Sequence, residues 1–318
     1  MIVVTGGLGF IGGAVVRQLA GRGLEVRVVD DLSKGQTPGA DAEHEFMLAD
    51  LRDSDVAERA LQGADICYHL AAKIGGIGYF HRYPATILHD NGLMLASVFN
   101  AARKHGTKVV YVSSSMVYER ADVFPTPEDA VLSSPPPVTH YGFSKLVGEY
   151  YCRAYWEEWG VPYVICRPFN AYGPGERAEH EPGIAHVIPD LIEKVMRGDY
   201  PLSIFGSGEQ TRCFTYLTDV AEGICRAGLD PKAEGEDFNI GVSTPVSISA
   251  LAEKIWHNVG RSEPFKLDHL TPLDHDIQTR VPDTSKAERI LGWRPLVDID
   301  EGLRRTIAWL REPATQAR

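Results

Sequence analysis

The sequence predicts an α/β fold, a doubly wound parallel sheet followed by a smaller mixed domain. Three observations lead there. Short apolar runs of strand length alternate with amphipathic stretches of helix length over the first half of the chain. The first run passes directly into a glycine-rich turn, Gly6-Gly7-Leu8-Gly9-Phe10-Ile11-Gly12, and then into a helical pattern. Beyond about residue 175 the alternation breaks, and Pro and Gly dominate the connections.

Ile2-Val3-Val4-Thr5 is a strand of the buried type, and a helix is expected from about Ala14 to Ala20. Glycine between strand and helix lets the backbone turn tightly and approach a pyrophosphate, which the N–H groups of the helix start then face. Gly6, Gly9, Phe10, Ile11 and Gly12 are therefore expected at a dinucleotide, as in a Rossmann domain. Glu25–Asp30 is the second strand. Asp30, 18 residues after Gly12, stands near the spacing of a carboxylate that accepts from ribose hydroxyls, with Asp31 beside it. A carboxylate there repels a 2′-phosphate, so NAD is expected rather than NADP; Arg27 and Lys34 are cations that could offset this. Phe46–Ala49 is the third strand, followed by Asp50 and Leu51, with Asp50 a candidate acceptor for the adenine amino group. Asp65–Ala72 is the fourth, and its small-residue end, Leu70-Ala71-Ala72, admits a ligand closely. His69 within it is read as a packed strand histidine.

Lys73–Gly78 is a flexible loop and about 85–104 a long helix. Lys108–Val112 is the fifth strand, and the hydroxyls of Ser113, Ser114 and Ser115 follow at its carboxyl end, where the crevice of such a sheet lies. Phe124–Pro137 is read as a loop; a helix containing Tyr141 runs to about Trp159, and Tyr163–Cys166 is the sixth strand. A loop holding His180 and His186 then precedes a helix over Pro189–Arg197, a strand over Pro201–Phe205 and a turn over Gly206–Arg212. Phe238–Gly241 is expected to return to the main sheet, and helices follow near Ile248–Val259 and Ile299–Leu310. The division expected is a cofactor domain of residues 1–170 plus about 209–245, and a substrate domain of 171–208 and 246–318.

Tyr141 and Lys145 stand four residues apart, one turn along a single helix face. An ammonium beside a phenol favours the phenolate, which suggests a Tyr able to exchange a proton near neutral pH. Alone the pair is a weak signal; the glycine turn upstream and the serines between give it weight.

Composition narrows the rest. The chain has 318 residues, 44% hydrophobic and 24% charged, with net charge −11, which argues against non-specific nucleic-acid binding. Five scattered cysteines, Cys67, Cys152, Cys166, Cys213 and Cys225, suggest buried free thiols rather than a disulfide or metal framework. No apolar run approaches the ~18–20 residues of a membrane span, and the first strand starts at once, so a cytoplasmic protein is expected.

Thr5–Gly12, His69-Leu-Ala-Ala72, Ser113–Tyr118, Tyr141-x-x-x-Lys145 and Arg167-Pro-Phe-Asn170 resemble the extended short-chain dehydrogenase/reductase family, and within it the nucleotide-sugar epimerases and dehydratases, of the UDP-glucose 4-epimerase type. Gly206–Asp219 and Thr284–Trp293 resemble its C-terminal half. The resemblance implies a seven-stranded sheet, NAD as cofactor, a nucleotide-diphosphate sugar as substrate, and a homodimer formed through the helices near 85–104 and 141–159. It implies a catalytic triad of Ser114, Tyr141 and Lys145, and Asn170, Arg212 and, more weakly, Arg280 at the diphosphate. Sugar-nucleotide 4,6-dehydratases carry an Asp-Glu pair where this chain has Ser115 and Met116, so dehydration is disfavoured. The Lys73–Ile77 loop resembles GDP-fucose synthases and GDP-mannose 3,5-epimerases, which place a Cys where Met116 stands; His186 matches an acid of the former. The expectation is a 4-epimerase working through a transient 4-keto sugar. A 3,5- or 5-epimerase of a GDP-sugar using His186 is the second enzymatic alternative, and a non-catalytic NAD-binding regulatory protein the third.

Overall fold

The structure is a computed structural model that describes residues 1–34, 44–74, 82–178, 186–272 and 277–312. Most of the predicted Lys73–Gly78 loop and of the His180–His186 segment lies outside the described residues. The first half runs β1 (Ile2–Thr5), α1 (Phe10–Gly21), β2 (Val26–Asp30), β3 (Glu45–Leu48), α2 (Ser54–Leu61), β4 (Ile66–His69), α3 (Pro84–His105), β5 (Lys108–Val112), α4 (Ala130–Ser133) and α5 (His140–Trp159). It continues with β6 (Tyr163–Pro168), β7 (Ala171–Tyr172), α6 (Val187–Arg197), β8 (Leu202–Phe205), β9 (Thr211–Arg212), β10 (Thr215–Tyr216), α7 (Leu217–Leu229) and β11 (Asp237–Ile240). The last stretch holds β12 (Val246–Ser247), α8 (Ile248–Val259), β13 (Leu267–Leu270), α9 (Ser285–Leu291) and α10 (Ile299–Arg311).

Seven strands form one sheet in the order β11-β6-β5-β4-β1-β2-β3, every pairing parallel. The order reverses between β1 and β4, which opens the crevice at the carboxyl ends of the strands. Alternate strand residues face opposite ways. Val4, Val28, Tyr68, Val110 and Val164 pack under α1 and α7, whereas Val3, Val29, Cys67, Val109 and Ile165 pack under α2, α3 and α5. A separate apolar cluster joins α6, α8 and α10 through Leu191, Ile192, Leu251, Trp256, Leu303 and Ile307. Ala287, Leu291 and Trp293 pack with the main sheet instead.

β11 joins β6, as Phe238–Gly241 predicted. Four helices go beyond the sequence reading: α2, α4, α7 and α9. α2 is capped by Asp53, whose carboxylate accepts from the N–H groups of Asp55 and Val56. α7 contains Gly223 and Gly228 because larger side chains would strike Ile240 and Tyr68. α4 interrupts the predicted Phe124–Pro137 loop, burying Ala130 and Val131. β4 ends at His69, short of Ala72. All five cysteines are free and buried. Among the described residues no helix is long and apolar enough to cross a membrane, and no cluster of three metal-ligating side chains occurs.

Candidate active site

β1 delivers the chain into the glycine turn at the switch point. Gly6 has φ +66°, and a Cβ on it would lie 2.8 Å from the Ala71 nitrogen. A Cβ on Gly12 would lie 2.0 Å from the Gly6 carbonyl oxygen. The start of α1 is thus pressed against the turn, and only glycine fits. Gly9 caps α1 without a side-chain bond, and no acidic residue sits in its first turn. The N–H groups of Phe10, Ile11 and Gly12 therefore point out of the helix start toward the crevice. This is a cradle that a side chain would fill, and it fits a pyrophosphate.

Asp30, at the end of β2, is buried, and its carboxylate accepts from Leu8 N (3.0 Å) and Leu32 N (2.9 Å). Those bonds hold it beside the turn with lone pairs left for a ribose. Asp31 is exposed and accepts from Ser33 N. Arg27 is engaged elsewhere, with Glu45 at 2.9 Å and the Ala60 carbonyl at 3.0 Å. Asp50 is gripped by Arg52, with bonds of 2.6 and 2.9 Å that hold its carboxyl below the usual range. Leu51 is buried, while Leu70, Ala71 and Ala72 are half-buried along the crevice. His69 is buried and bonds to Thr5 Oγ1 through Nδ1 at 2.8 Å. Burial drives its pKa down to about 3, so it is a neutral packed histidine.

Ser114, Tyr141 and Lys145 meet across β5 and α5. Thr139 caps α5 by accepting from Gly142 N at 3.2 Å, which starts the helix one residue before Tyr141. Tyr141 and Ser114 are hydrogen-bonded. Lys145 Nζ lies 5.9 Å from the centre of the Tyr141 ring and donates to the Val112 carbonyl at 2.9 Å. The expected lowering of the Tyr141 pKa is not what the structure gives. Tyr141 packs against Ile87, Ile74 and Met116, and burial pushes the phenol well above its ordinary range; the Ser114 bond offsets only part of that. Burial also pulls Lys145 down to about 8. Desolvation disfavours both charged forms and outweighs the attraction between them.

On the substrate side Arg280 reaches the two residues that follow Ser114, donating to Ser115 Oγ at 3.3 Å and touching Met116 Sδ at 3.1 Å. Asn170, at φ +35°, bonds Cys213 O through its side chain and receives Thr215 N on its carbonyl. That ties the end of β6 to the strand segment next to Arg212, whose guanidinium bonds Thr211 O at 2.8 Å. His186 caps α6, half-exposed, with Nδ1 paired to Glu176. Gly175 brings this segment over the cofactor turn, since a Cβ there would lie 3.5 Å from the Phe10 ring.

Two groups of residues lay beyond the sequence reading. Asn91 on α3 accepts from Lys73 N (2.7 Å) and donates to Ser144 Oγ (3.1 Å), joining the segment after β4 to α5; an Asn at helical spacing from Ile87, Met94, Leu95 and Val98 was the available signal. Glu149 and Arg167 form a fully buried bidentate pair beneath the triad.

A glycine cradle at a parallel-sheet switch point, with a Ser-Tyr-Lys constellation across the crevice, defines a dinucleotide-binding fold. Residues 2–241 match the model of the NAD dependent epimerase/dehydratase family. The chain belongs to that family, and its cofactor is NAD. It is 33% identical over 315 residues to a putative UDP-glucose 4-epimerase of Methanocaldococcus jannaschii, covering 98% of each chain. The UDP-glucose 4-epimerase of Thermotoga maritima, solved with UDP-glucose, superposes with TM-score 0.88 at 30% identity, covering 98% of both chains. The UDP-glucose 4-epimerase of Thermus thermophilus, solved with NAD, gives TM-score 0.85 at 28% identity over 98% of both. Relatives also include UDP-glucuronic acid decarboxylases and GDP-mannose 3,5-epimerases, and the similar structures a dTDP-glucose 4,6-dehydratase.

Proposed function

We propose that this protein is a nucleotide-sugar 4-epimerase working through a transient 4-keto sugar. The observation that supports it best is the Ser114–Tyr141–Lys145 constellation flanked by Ser115 and Met116, which offer no acid–base pair for eliminating water. Bound NAD would accept the C4 hydride and give it back to the other face of the ketone, and while oxidised it would add a positive charge that favours the Tyr141 phenolate. Tyr141 takes the C4 hydroxyl proton and returns it after the ketone has turned over in the site. Ser114 orients that hydroxyl, and Lys145 directs its ammonium to the nicotinamide ribose. Gly6, Gly9 and the N–H groups of Phe10, Ile11 and Gly12 hold the pyrophosphate, and Asp30 the adenosine ribose. Asn170, Arg212 and Arg280 take the substrate diphosphate.

The cofactor unit would comprise residues 1–170 and about 209–245, with residues 285–293, which pack on the same sheet, joined to it; the remainder of 171–208 and 246–312 would form the substrate unit. Leu93, Phe143, Tyr150, Trp156 and Trp159, apolar yet exposed on α3 and α5, support a homodimer through those helices. A cytoplasmic location fits the five free thiols. The His186–Glu176 pair favours a second reading, a 3,5- or 5-epimerase in which His186 exchanges a proton beside the ketone.

The test is conversion of UDP- and GDP-sugars by the purified protein without added NAD. Wild type should form a C4 epimer. Tyr141→Phe should retain bound NAD and lose conversion; an active Tyr141→Phe enzyme would remove Tyr141 from the mechanism.

A further inference from the structure

We propose that Glu149 and Arg167 clamp the Ser113–Tyr118 segment at both ends, so that Ser113, Glu149 and Tyr118 are positioning residues that hold the Ser114 hydroxyl on Tyr141. The inference rests on the role given above to Ser114 and Tyr141, and it concerns a layer behind them that touches neither substrate nor cofactor.

Tyr141, Lys145 and Glu149 follow at four-residue spacing on one face of α5. The first two face the crevice end, and Glu149 lies one turn deeper, fully buried. Its Oε1 receives Ser113 Oγ at 2.7 Å and Arg167 Nε at 2.7 Å. Its Oε2 receives the second arm of the Arg167 fork at 2.7 Å. The other end of the guanidinium donates to the Tyr118 hydroxyl at 2.6 Å and to the Glu128 carbonyl at 3.2 Å. Tyr118 in turn donates to Asn239 Oδ1 at 3.0 Å. Asp237 closes the set, accepting from Arg167 at 2.8 Å.

The segment that carries Ser114, Ser115 and Met116 is thus gripped at its first residue through Glu149 and at its last through Arg167. Both grips anchor on α5 and β6, the elements that also fix Tyr141 and the floor of the crevice. A buried ion pair adds little net stability over apolar packing of the same volume. What this pair supplies is a fixed distance between the Ser114 segment and the Tyr141 helix, and a misplacement of about 1 Å at a reacting group can cost about 100-fold in rate.

Ser113→Ala and Tyr118→Phe each delete one hydroxyl and leave the Glu149–Arg167 ion pair intact; Tyr118→Phe also takes the donor from Asn239 Oδ1, so thermal unfolding of each variant is measured alongside. The double variant should lose about tenfold or more in kcat, with KM and NAD affinity within about twofold of wild type. Hydrogen exchange of the Ser113–Tyr118 backbone amides, followed by mass spectrometry, should speed up about tenfold or more in the double variant while the amides of β1 and β4 keep their wild-type protection. Wild-type kcat together with unchanged exchange in this segment would overturn the clamp. The exchange measurement needs no turnover, so it decides the matter even if no nucleotide sugar is converted and the epimerase reading itself fails. Glu149→Gln sets an amide N–H against the guanidinium and should lose both stability and activity, whereas Glu149→Asp should recover part of the rate.

Discussion

Replacing Gly12 with Ala tests the cofactor cradle at its tightest point. The new methyl carbon would sit 2.0 Å from the Gly6 carbonyl oxygen, 2.9 Å from the Gly6 carbonyl carbon and 3.0 Å from the Gly7 Cα. All three are backbone atoms, so no side-chain rotation relieves the clash. α1 cannot retreat easily, because Val15, Val16 and Leu19 are buried against the sheet on the same helix. The displacement therefore falls on the Gly6–Gly9 turn. Overpacking of this kind costs about 1–3 kcal/mol of stability. The turn's N–H groups also lose their aim at the pyrophosphate; hydrogen bonds to a charged group are worth about 1.5–3 kcal/mol each, so losing one lowers NAD affinity roughly ten- to a hundredfold. Calorimetric titration of NAD-free protein measures the affinity, and thermal unfolding without ligand measures the stability. Gly21→Ala at the other end of α1 is the control, with nothing within 4 Å of the added methyl; it should leave both unchanged or stabilise slightly. Wild-type NAD affinity in Gly12→Ala would refute the reasoning that this turn is the phosphate cradle.

Three further outcomes follow from the burial of charged groups and from the substrate wall. His69 has a folded pKa near 3 against an unfolded value of 6.5, so the unfolded chain binds an extra proton between those pH values and stability falls as pH drops through that window; His69→Gln should lose about 2–3 kcal/mol less than wild type between pH 7 and pH 4.5 in urea unfolding. Lys145, pulled down to about 8, is charged and poorly solvated in the fold at neutral pH, a cost fully present below pH 8 and relieved as pH rises toward 10.5. Lys145→Met should accordingly raise the ligand-free Tm at pH 7, by the equivalent of about 3 kcal/mol at most, while turnover is lost. Arg280→Ala should raise KM for the nucleotide sugar roughly ten- to a hundredfold with a smaller change in kcat, read from initial rates.

The strands of the main sheet, the cradle and the Tyr141–Lys145 face were legible because they rest on local periodicity: four-residue apolar runs, glycines at a strand–helix junction, and one turn of helix. What was not legible depends on contacts far apart in the chain. α7 reads poorly as a helix, since Gly223 and Gly228 lower its propensity, and only the approach of Ile240 and Tyr68 explains them. α2 did carry a local signal, Asp53 ahead of Ala57, Ala60 and Leu61, that an N-cap search finds. Lys145 beside Tyr141 suggested a lowered phenol pKa because pairwise attraction can be read from spacing; the burial that reverses the sign depends on Ile87, Ile74 and Met116 closing over the ring. The grip on Ser113 and Tyr118 joins residues from 113 to 239, and its only local trace is Glu149 one turn beyond Lys145.

The central claim, that the sugar is oxidised and reduced at C4 with no carbon acid involved, is tested most directly by proton NMR in D₂O with a panel of UDP- and GDP-sugars and no added NAD. The account predicts a C4 epimer that carries no solvent deuterium on carbon. Deuterium at C3 or C5 would contradict it and move the chemistry to His186 and Glu176.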